Sequence, residues 1–144
     1  MTEELPTSPA QRYARLVGWL LVAIGIAGFF YNASFATGQE TLTNRGSMFG
    51  AFDVNGWDNL LHLLVGLIGV RVAQSYAGAR AYAWAAGLFF LVLALLGTIY
   101  GDGDSIFKLF AVNSADDAIH VAVGLVGLWA AVFTPPTPAP SHAV

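Results

Sequence analysis

Two histidines stand inside apolar stretches of this chain, each one helical turn after an acidic residue. His62 follows Asp58 by four positions, and His120 follows Asp116 and Asp117. Side chains four positions apart share one face of a helix. There, imidazole and carboxylate groups can hydrogen-bond to each other, bind a metal ion or move a proton. We take these five residues as a candidate polar or ligand layer.

The residue types leave several kinds of chemistry open. In a structural role, each acidic residue hydrogen-bonds to the histidine below it. In a cofactor role, His62 and His120 with nearby carboxylates bind a zinc-like metal, or the two imidazoles hold a b-type haem. The layer can also conduct ions or protons, although the lower halves of the segments contain no polar residue to continue a relay. A structural role without any cofactor is the expectation that we carry forward.

The composition is that of a membrane protein. Of 144 residues, 56% are hydrophobic and 10% charged, against about 25% charged in soluble domains. The net charge of −3 and the lack of a basic run give no support to nucleic-acid binding. Because the chain has no Cys, disulfides, thiolate metal sites and Cys nucleophiles are excluded. Nor does it contain a G-x-S-x-G, Walker A or H-E-x-x-H motif that would indicate an enzyme.

Four apolar segments, at about 15–31, 57–72, 82–100 and 115–133, predict transmembrane helices, since each approaches the ~20 residues that cross a bilayer. The predicted fold is all-α: an integral membrane four-helix bundle over 12–134, between an N-terminal tail (1–11) and a disordered Pro-rich tail (135–144). Ser8, Pro9 and Gln11 have the pattern of an N-cap, a first helical position and a capping box.

The basic residues predict how the chain is oriented. Arg12 and Arg15 precede the first segment, and Arg71 and Arg80 flank the link between the second and third. The two longer loops contain one basic residue each, among acidic ones. By the positive-inside rule, both termini and the middle link are expected in the cytoplasm. The predicted location is therefore a plasma membrane, crossed several times.

An internal repeat underlies the two histidine segments. "FDVNGWDNLLHLLVGLIGV" from Phe52 and "FAVNSADDAIHVAVGLVGL" from Phe110 align without a gap at an offset of 58 (110 − 52). This match predicts two tandem helix-hairpin repeats in parallel orientation. Within them, Asn55 and Asn113 are predicted helix N-caps, with the acidic residue of each repeat at the third helical position.

Glycines continue the histidine face of each repeat, namely Gly66 and Gly69 in the first and Gly124 and Gly127 in the second. Small residues in one stripe allow two helices to approach closely in lipid. We therefore expect the second and fourth helices to meet along these stripes and to bring the two histidines together. A homo-oligomer or another membrane protein is a further possible partner of the chain, besides the lipid bilayer.

The two Asn-to-His stretches, with "GARAYAWAAGLFFLVLALLG" between them, resemble the four-helix bacterial membrane proteins of domain of unknown function 4383. The likeness covers roughly 12–133. Members of that family usually have Asp-Asn before the second histidine, where this chain has Asp116 and Asp117. The resemblance implies a small bacterial membrane protein of unassigned activity. With the residues above, it favours a structural or partner-binding membrane subunit; the alternative is a metal- or haem-binding redox or transport component.

Overall fold

A computed structural model of the chain describes residues 7–136, and most of them are helical, which confirms the all-α class. In chain order, the helices and strands are α1 (Pro9–Tyr31), β1 (Gly46–Met48), β2 (Phe52–Val54), α2 (Gly56–Val72), α3 (Tyr76–Tyr100), β3 (Ser105–Ile106), β4 (Phe110–Ala111) and α4 (Ser114–Val132). A 3₁₀ turn, Gly38–Leu42, precedes β1. Of the predicted tails, 1–11 and 135–144, the residues 1–6 and 137–144 lie outside the described part of the chain, and α1 already begins at Pro9, inside the first predicted tail.

The helices begin at their capping residues rather than at the edges of the apolar segments. The Ser8 hydroxyl accepts from the Gln11 amide at 3.2 Å, and the Ser8 amide donates to the Gln11 side chain at 3.1 Å, which confirms the predicted capping box. α3 begins at Tyr76 because the Ser75 hydroxyl accepts from the Gly78 amide at 3.1 Å. The third helix therefore begins six residues before the predicted segment.

Among the described residues, α1, α3 and α4 are long and apolar enough to cross a membrane. α2 has 17 residues, which gives about 25 Å at 1.5 Å per residue. That length lies at the short end of the range for a membrane span.

The glycine stripes join helices within a pair, so the expected contact between α2 and α4 along them is wrong. α1 packs along α2, and α3 along α4. A Cβ on Gly66 would lie 2.7 Å from the Gly18 carbonyl oxygen of α1, and one on Gly124 would lie 2.9 Å from the Gly87 carbonyl oxygen of α3. Gly66 and Gly124 therefore face the helix that precedes them in the chain, where glycine permits close approach. A Cβ on Gly69 or Gly127 would lie 2.7 Å from the hydroxyl oxygen of Tyr82 or Tyr13, respectively, in the other helix pair.

Two tyrosines connect the helix pairs. The Tyr13 hydroxyl of α1 donates to the Val123 carbonyl of α4 at 3.2 Å, and the Tyr82 hydroxyl of α3 donates to the Val65 carbonyl of α2 at 3.2 Å. The centroids of the two tyrosine rings are 6.1 Å apart. These reciprocal contacts hold the first helix pair against the second.

Short β-hairpins cover one end of the helices, which we call the hairpin end. β1 pairs with β2 and β3 with β4, both antiparallel. β2 contacts α4 and β4 contacts α2, so each hairpin reaches across to the other helix pair. At the two tips, Phe49 and Phe107 have φ of 57° and 53°, a left-handed conformation that costs a non-glycine residue about 1–2 kcal/mol.

Candidate functional site

Asn55 begins α2 and also attaches it to the second hairpin. Its side-chain oxygen accepts from the amides of Trp57 at 2.8 Å and Asp58 at 3.1 Å. Its side-chain nitrogen donates to the Leu109 carbonyl at 2.7 Å. Asn113 caps α4 more simply, accepting from the Asp116 amide at 2.9 Å. Both asparagines therefore occupy N-cap positions, and the first also fixes a hairpin.

The two acidic residues at the third helical position differ in their partners. Asp58 Oδ2 accepts from the amides of Asn55 at 3.2 Å and Ala111 at 3.1 Å. Asp116 Oδ2, in contrast, is buried and has no hydrogen-bond partner in the described part of the chain. A buried polar atom without a partner is uncommon and needs an explanation. This oxygen of the second carboxylate is therefore free to contact a ligand.

The two histidines lie side by side, as the symmetry argument expects. Their ring centroids are 6.4 Å apart and their planes are inclined by 42°. The His120 ring also stacks on Phe90, with centroids 5.3 Å apart. α2 and α4 do not bring the rings together by direct packing; the rings meet across the space beneath the hairpins.

The hydrogen bonds expected between each acidic residue and its histidine do not form through Nδ1. In both His62 and His120 this atom is buried and has no partner among residues 7–136. The reason in the first repeat is that Asp58 turns toward the helix start and accepts from two backbone amides. The site thus holds three unpaired buried atoms: two imidazole nitrogens and one carboxylate oxygen.

Asp117 does not belong to this group. Its carboxylate lies against Gly97 of α3, and it lines a separate, open depression with Asp102 and Ser114. The predicted layer therefore reduces to four residues, Asp58, His62, Asp116 and His120. Consecutive helical positions point about 100° apart, which explains why one carboxylate faces the histidines and the next does not.

A small polar cavity of about 30 Å³ lies at the centre of the site. Besides the four residues above, Asp53 of β2 lines it, and the Arg45 guanidinium lies 3.4 Å from this carboxylate. The apolar lining residues are Leu61, Leu93, Ile106, Phe110 and Ala111. A space of this size accommodates about one or two water molecules.

A second, larger cavity of about 280 Å³ adjoins three of the same polar residues. Its polar lining consists of His62, Asp116 and His120, and all its other walls are apolar. These walls come from α1, the first hairpin, α3 and α4: Leu20, Leu21, Ile24, Met48, Phe49, Phe52, Val54, Phe90, Ile119 and Val123. Because Leu20, Phe49 and Ile119 are also exposed on the protein surface, the cavity opens sideways between α1 and α4.

Sequence reasoning missed the other residues that line the two cavities. Asp53 lies inside the repeated stretch, but Ala111 holds the corresponding position in the second copy, so the comparison of copies gave no polar signal there. Leu20 and Leu21 are apolar residues in an apolar helix, and nothing in their pattern distinguishes a cavity wall from a lipid-facing surface.

The geometry does not fit the metal or haem alternatives. In the described part of the chain, no group of three or more His, Asp and Glu side chains is placed to hold a metal ion. A haem needs a flat space with the imidazoles on opposite faces. Here the polar cavity holds about 30 Å³, and Phe90 stacks on one of the two rings. A macrocycle has no room there.

Comparison with known proteins gives a family and nothing more specific. A family model described as Domain of unknown function (DUF4383) matches residues 11–133. No curated protein and no solved structure matches the chain.

Proposed function

Because the chain belongs to the family of domain of unknown function 4383, we propose a function from its own site: a multi-pass membrane protein that takes one amphiphilic molecule from the bilayer. The molecule's head lies against His62, Asp116 and His120, and its tail lies against the apolar walls of the larger cavity. The observation that carries this proposal is the combination of three unpaired buried polar atoms with an apolar cavity open at the side.

The membrane arrangement that we propose has four spans in two tandem repeats. It is supported by the three long apolar helices and by the similar packing of the two halves, since α1 packs along α2 as α3 packs along α4. Val65 and Val123, which accept from the two tyrosines, are 58 residues apart, the offset of the sequence repeat. The distribution of basic residues supports a plasma-membrane orientation with both termini in the cytoplasm. The hairpin end then faces outward.

Corresponding positions line both cavities, yet their volumes differ about ninefold. Phe110 in the small cavity corresponds to Phe52 in the large one, 58 positions earlier, and Leu61 corresponds to Ile119. The equivalent tyrosines, Tyr13 of α1 and Tyr82 of α3, are 69 positions apart. At the same offset, Phe89 and Phe90 of α3 correspond to Leu20 and Leu21 of α1. The two leucines line the larger cavity, and so does Phe90, whereas neither phenylalanine lines the small one. Of these two cavities, the larger one has room for a ligand. The partner that this membrane subunit binds is therefore the amphiphilic molecule itself.

The test transfers the aromatic pair to the open site. We expect the double variant Leu20→Phe, Leu21→Phe to fill the larger cavity, because both leucines line it and phenylalanine has the larger side chain. Ile26→Phe is the matched control, because Ile26 lies on the same helix, is 51% exposed against 50% for Leu20, and does not line the cavity.

The three proteins are reconstituted in phosphatidylcholine nanodiscs and titrated with dodecylamine and with dodecanol, with empty nanodiscs as the blank. Wild type and Ile26→Phe are expected to bind at least one of the probes saturably, one per chain by native mass spectrometry, and the double variant to bind neither. Circular dichroism establishes that the double variant is folded. Failure of the wild type to retain either probe contradicts the proposal, as does equal binding by a folded double variant.

A further inference from the structure

The head group that fits the larger cavity can be specified further by the atoms it must satisfy. Asp116 Oδ2, His62 Nδ1 and His120 Nδ1 are all buried, and none has a hydrogen-bond partner within residues 7–136. All three side chains line the larger cavity. We infer that the ligand carries a primary ammonium head, so that the protein binds long-chain alkylamines; this inference rests on the proposed function.

The number of donors favours an ammonium. A primary ammonium has three N–H donors and no acceptor. The site offers a carboxylate oxygen and two imidazole nitrogens, each of which accepts when its proton is on Nε2. A hydroxyl head has one donor and leaves two of the three atoms unpaired. A carboxylate head has none, so it satisfies an imidazole only if that imidazole donates instead.

The charges around the site favour a cation as well. Three acidic side chains line the two adjoining cavities, namely Asp53, Asp58 and Asp116. Among the described residues no Lys or Arg lines either cavity. The Arg45 guanidinium lies 3.4 Å from Asp53 through its Nε atom, and its buried Nη1 atom has no hydrogen-bond partner within residues 7–136. Charge interactions are strong where water is largely excluded. An ammonium is therefore attracted by the unpaired carboxylate, whereas a phosphate or carboxylate head is repelled.

The apolar walls fix the remainder of the ligand. A cavity of about 280 Å³ is at the low end of the sizes typical for small-molecule sites. It accommodates the head and the first part of one alkyl chain. Because the cavity opens sideways between α1 and α4, the rest of the chain extends into the lipid.

The experiment compares three probes with the same tail and different heads: dodecylamine, dodecanol and dodecanoate. Each is titrated into nanodisc-reconstituted protein labelled with ¹³C-histidine. The chain has three histidines, so the side chains of His62 and His120 are followed individually once each is assigned by substitution. Dodecylamine is expected to shift both signals and to bind about tenfold or more tightly than dodecanol, as an added charged hydrogen bond implies. Dodecanoate is expected to leave them unchanged.

Two neighbouring carboxylates supply a matched pair of variants. Asp116→Asn keeps the shape of the side chain and removes its charge from the cavity. Asp117→Asn removes the adjacent charge, which faces the other depression, and places there the residue that the first repeat has at Asn59. We expect Asp116→Asn to abolish the preference of the protein for amine over alcohol, and Asp117→Asn to preserve that preference.

The outcomes separate the two proposals. If wild type binds dodecanol as tightly as dodecylamine, or if both Asn variants reduce the preference equally, the inference about the head group is wrong while amphiphile binding stands. If none of the three probes shifts the histidine signals, the proposed function itself fails.

Discussion

The close contact between α1 and α2 gives a stability prediction whose size follows from the structure. In Gly66→Ala the added methyl group would lie 2.7 Å from the Gly18 carbonyl oxygen, 2.8 Å from the Val22 amide nitrogen and 2.9 Å from Val22 Cγ2. Carbon atoms normally make contact at about 3.5–4.0 Å. Two of the three neighbours are backbone atoms, so no side-chain rotation relieves them and the helices must move apart.

Overpacking of this kind costs about 1–3 kcal/mol. The higher helix propensity of Ala offsets about 0.5–1 kcal/mol of that cost. We expect a net loss of roughly 0.5–2 kcal/mol, which lowers the melting temperature by a few degrees at about 2–4 °C per kcal/mol. The assay is thermal unfolding in detergent, followed by circular dichroism and by intrinsic fluorescence.

Gly78→Ala is the control. At this position a methyl group has Ser75 and Val72 side-chain atoms as its nearest neighbours, at 3.2 to 3.4 Å, so we expect an unchanged or slightly higher melting temperature. Replacing Val22 by Ala in the Gly66→Ala background removes one of the three close contacts and should restore part of the loss. If Gly66→Ala melts like wild type, or if a smaller residue on α4 restores it and Val22→Ala does not, the assignment of this glycine to the α1 contact is refuted.

Three further predictions concern the joints of the fold. Tyr13→Phe and Tyr82→Phe each remove one hydrogen bond of 3.2 Å between the helix pairs, and each should lower the free energy of unfolding by about 1 kcal/mol, measured by denaturant titration; no loss in either would contradict the linking role. Asn55→Ala should lower the melting temperature more than Asn113→Ala. Both residues cap a helix, but of the two only Asn55 also donates a hydrogen bond to the second hairpin; the reverse order would contradict this account. The hydrogen bond from Lys108, 3.0 Å away, lowers the pKa of the exposed Asp104. The small stabilisation from the ionised carboxylate is therefore present above the ordinary pKa of 3.8 and is lost as the pH falls through the lowered value. The melting temperatures of wild type and Asp104→Asn should converge in acid, and a difference that widens there would contradict this account.

The elements with local chemical signals were the ones that sequence reasoning predicted well. Ser8 and Asn55 are N-caps because their side chains bond to amides within three residues, which needs no knowledge of the rest of the fold. The proximity of His62 and His120 followed from the repeat, although the expected route through α2 and α4 was wrong. Which helix a glycine stripe faces depends on tertiary packing, and the stripe looks the same in sequence for either neighbour.

The hairpins and the cavity walls lacked such signals. β3 and β4 have two residues each, too few to show the alternation that indicates a strand. The first hairpin matters for the site because Met48 and Phe52 line the larger cavity. In the sequence, Phe52 is only the apolar start of the repeated stretch, and Met48 carries no signal at all. A wall made by four elements distant in sequence becomes visible only when the elements are assembled.

The difference between the two halves is more informative about function than their similarity. If the polar layer served stability alone, both copies would gain from the same closed packing, with the carboxylate bonded to backbone amides and an aromatic residue behind the histidine. The first copy has the carboxylate bonds, at Asp58, and the second copy has the aromatic residue, since Phe90 stacks on His120. In the second copy, however, Asp116 Oδ2 has no hydrogen-bond partner among residues 7–136. Leaving a buried polar group unpaired costs about 1–3 kcal/mol, and a ligand that pairs with that group offsets this cost.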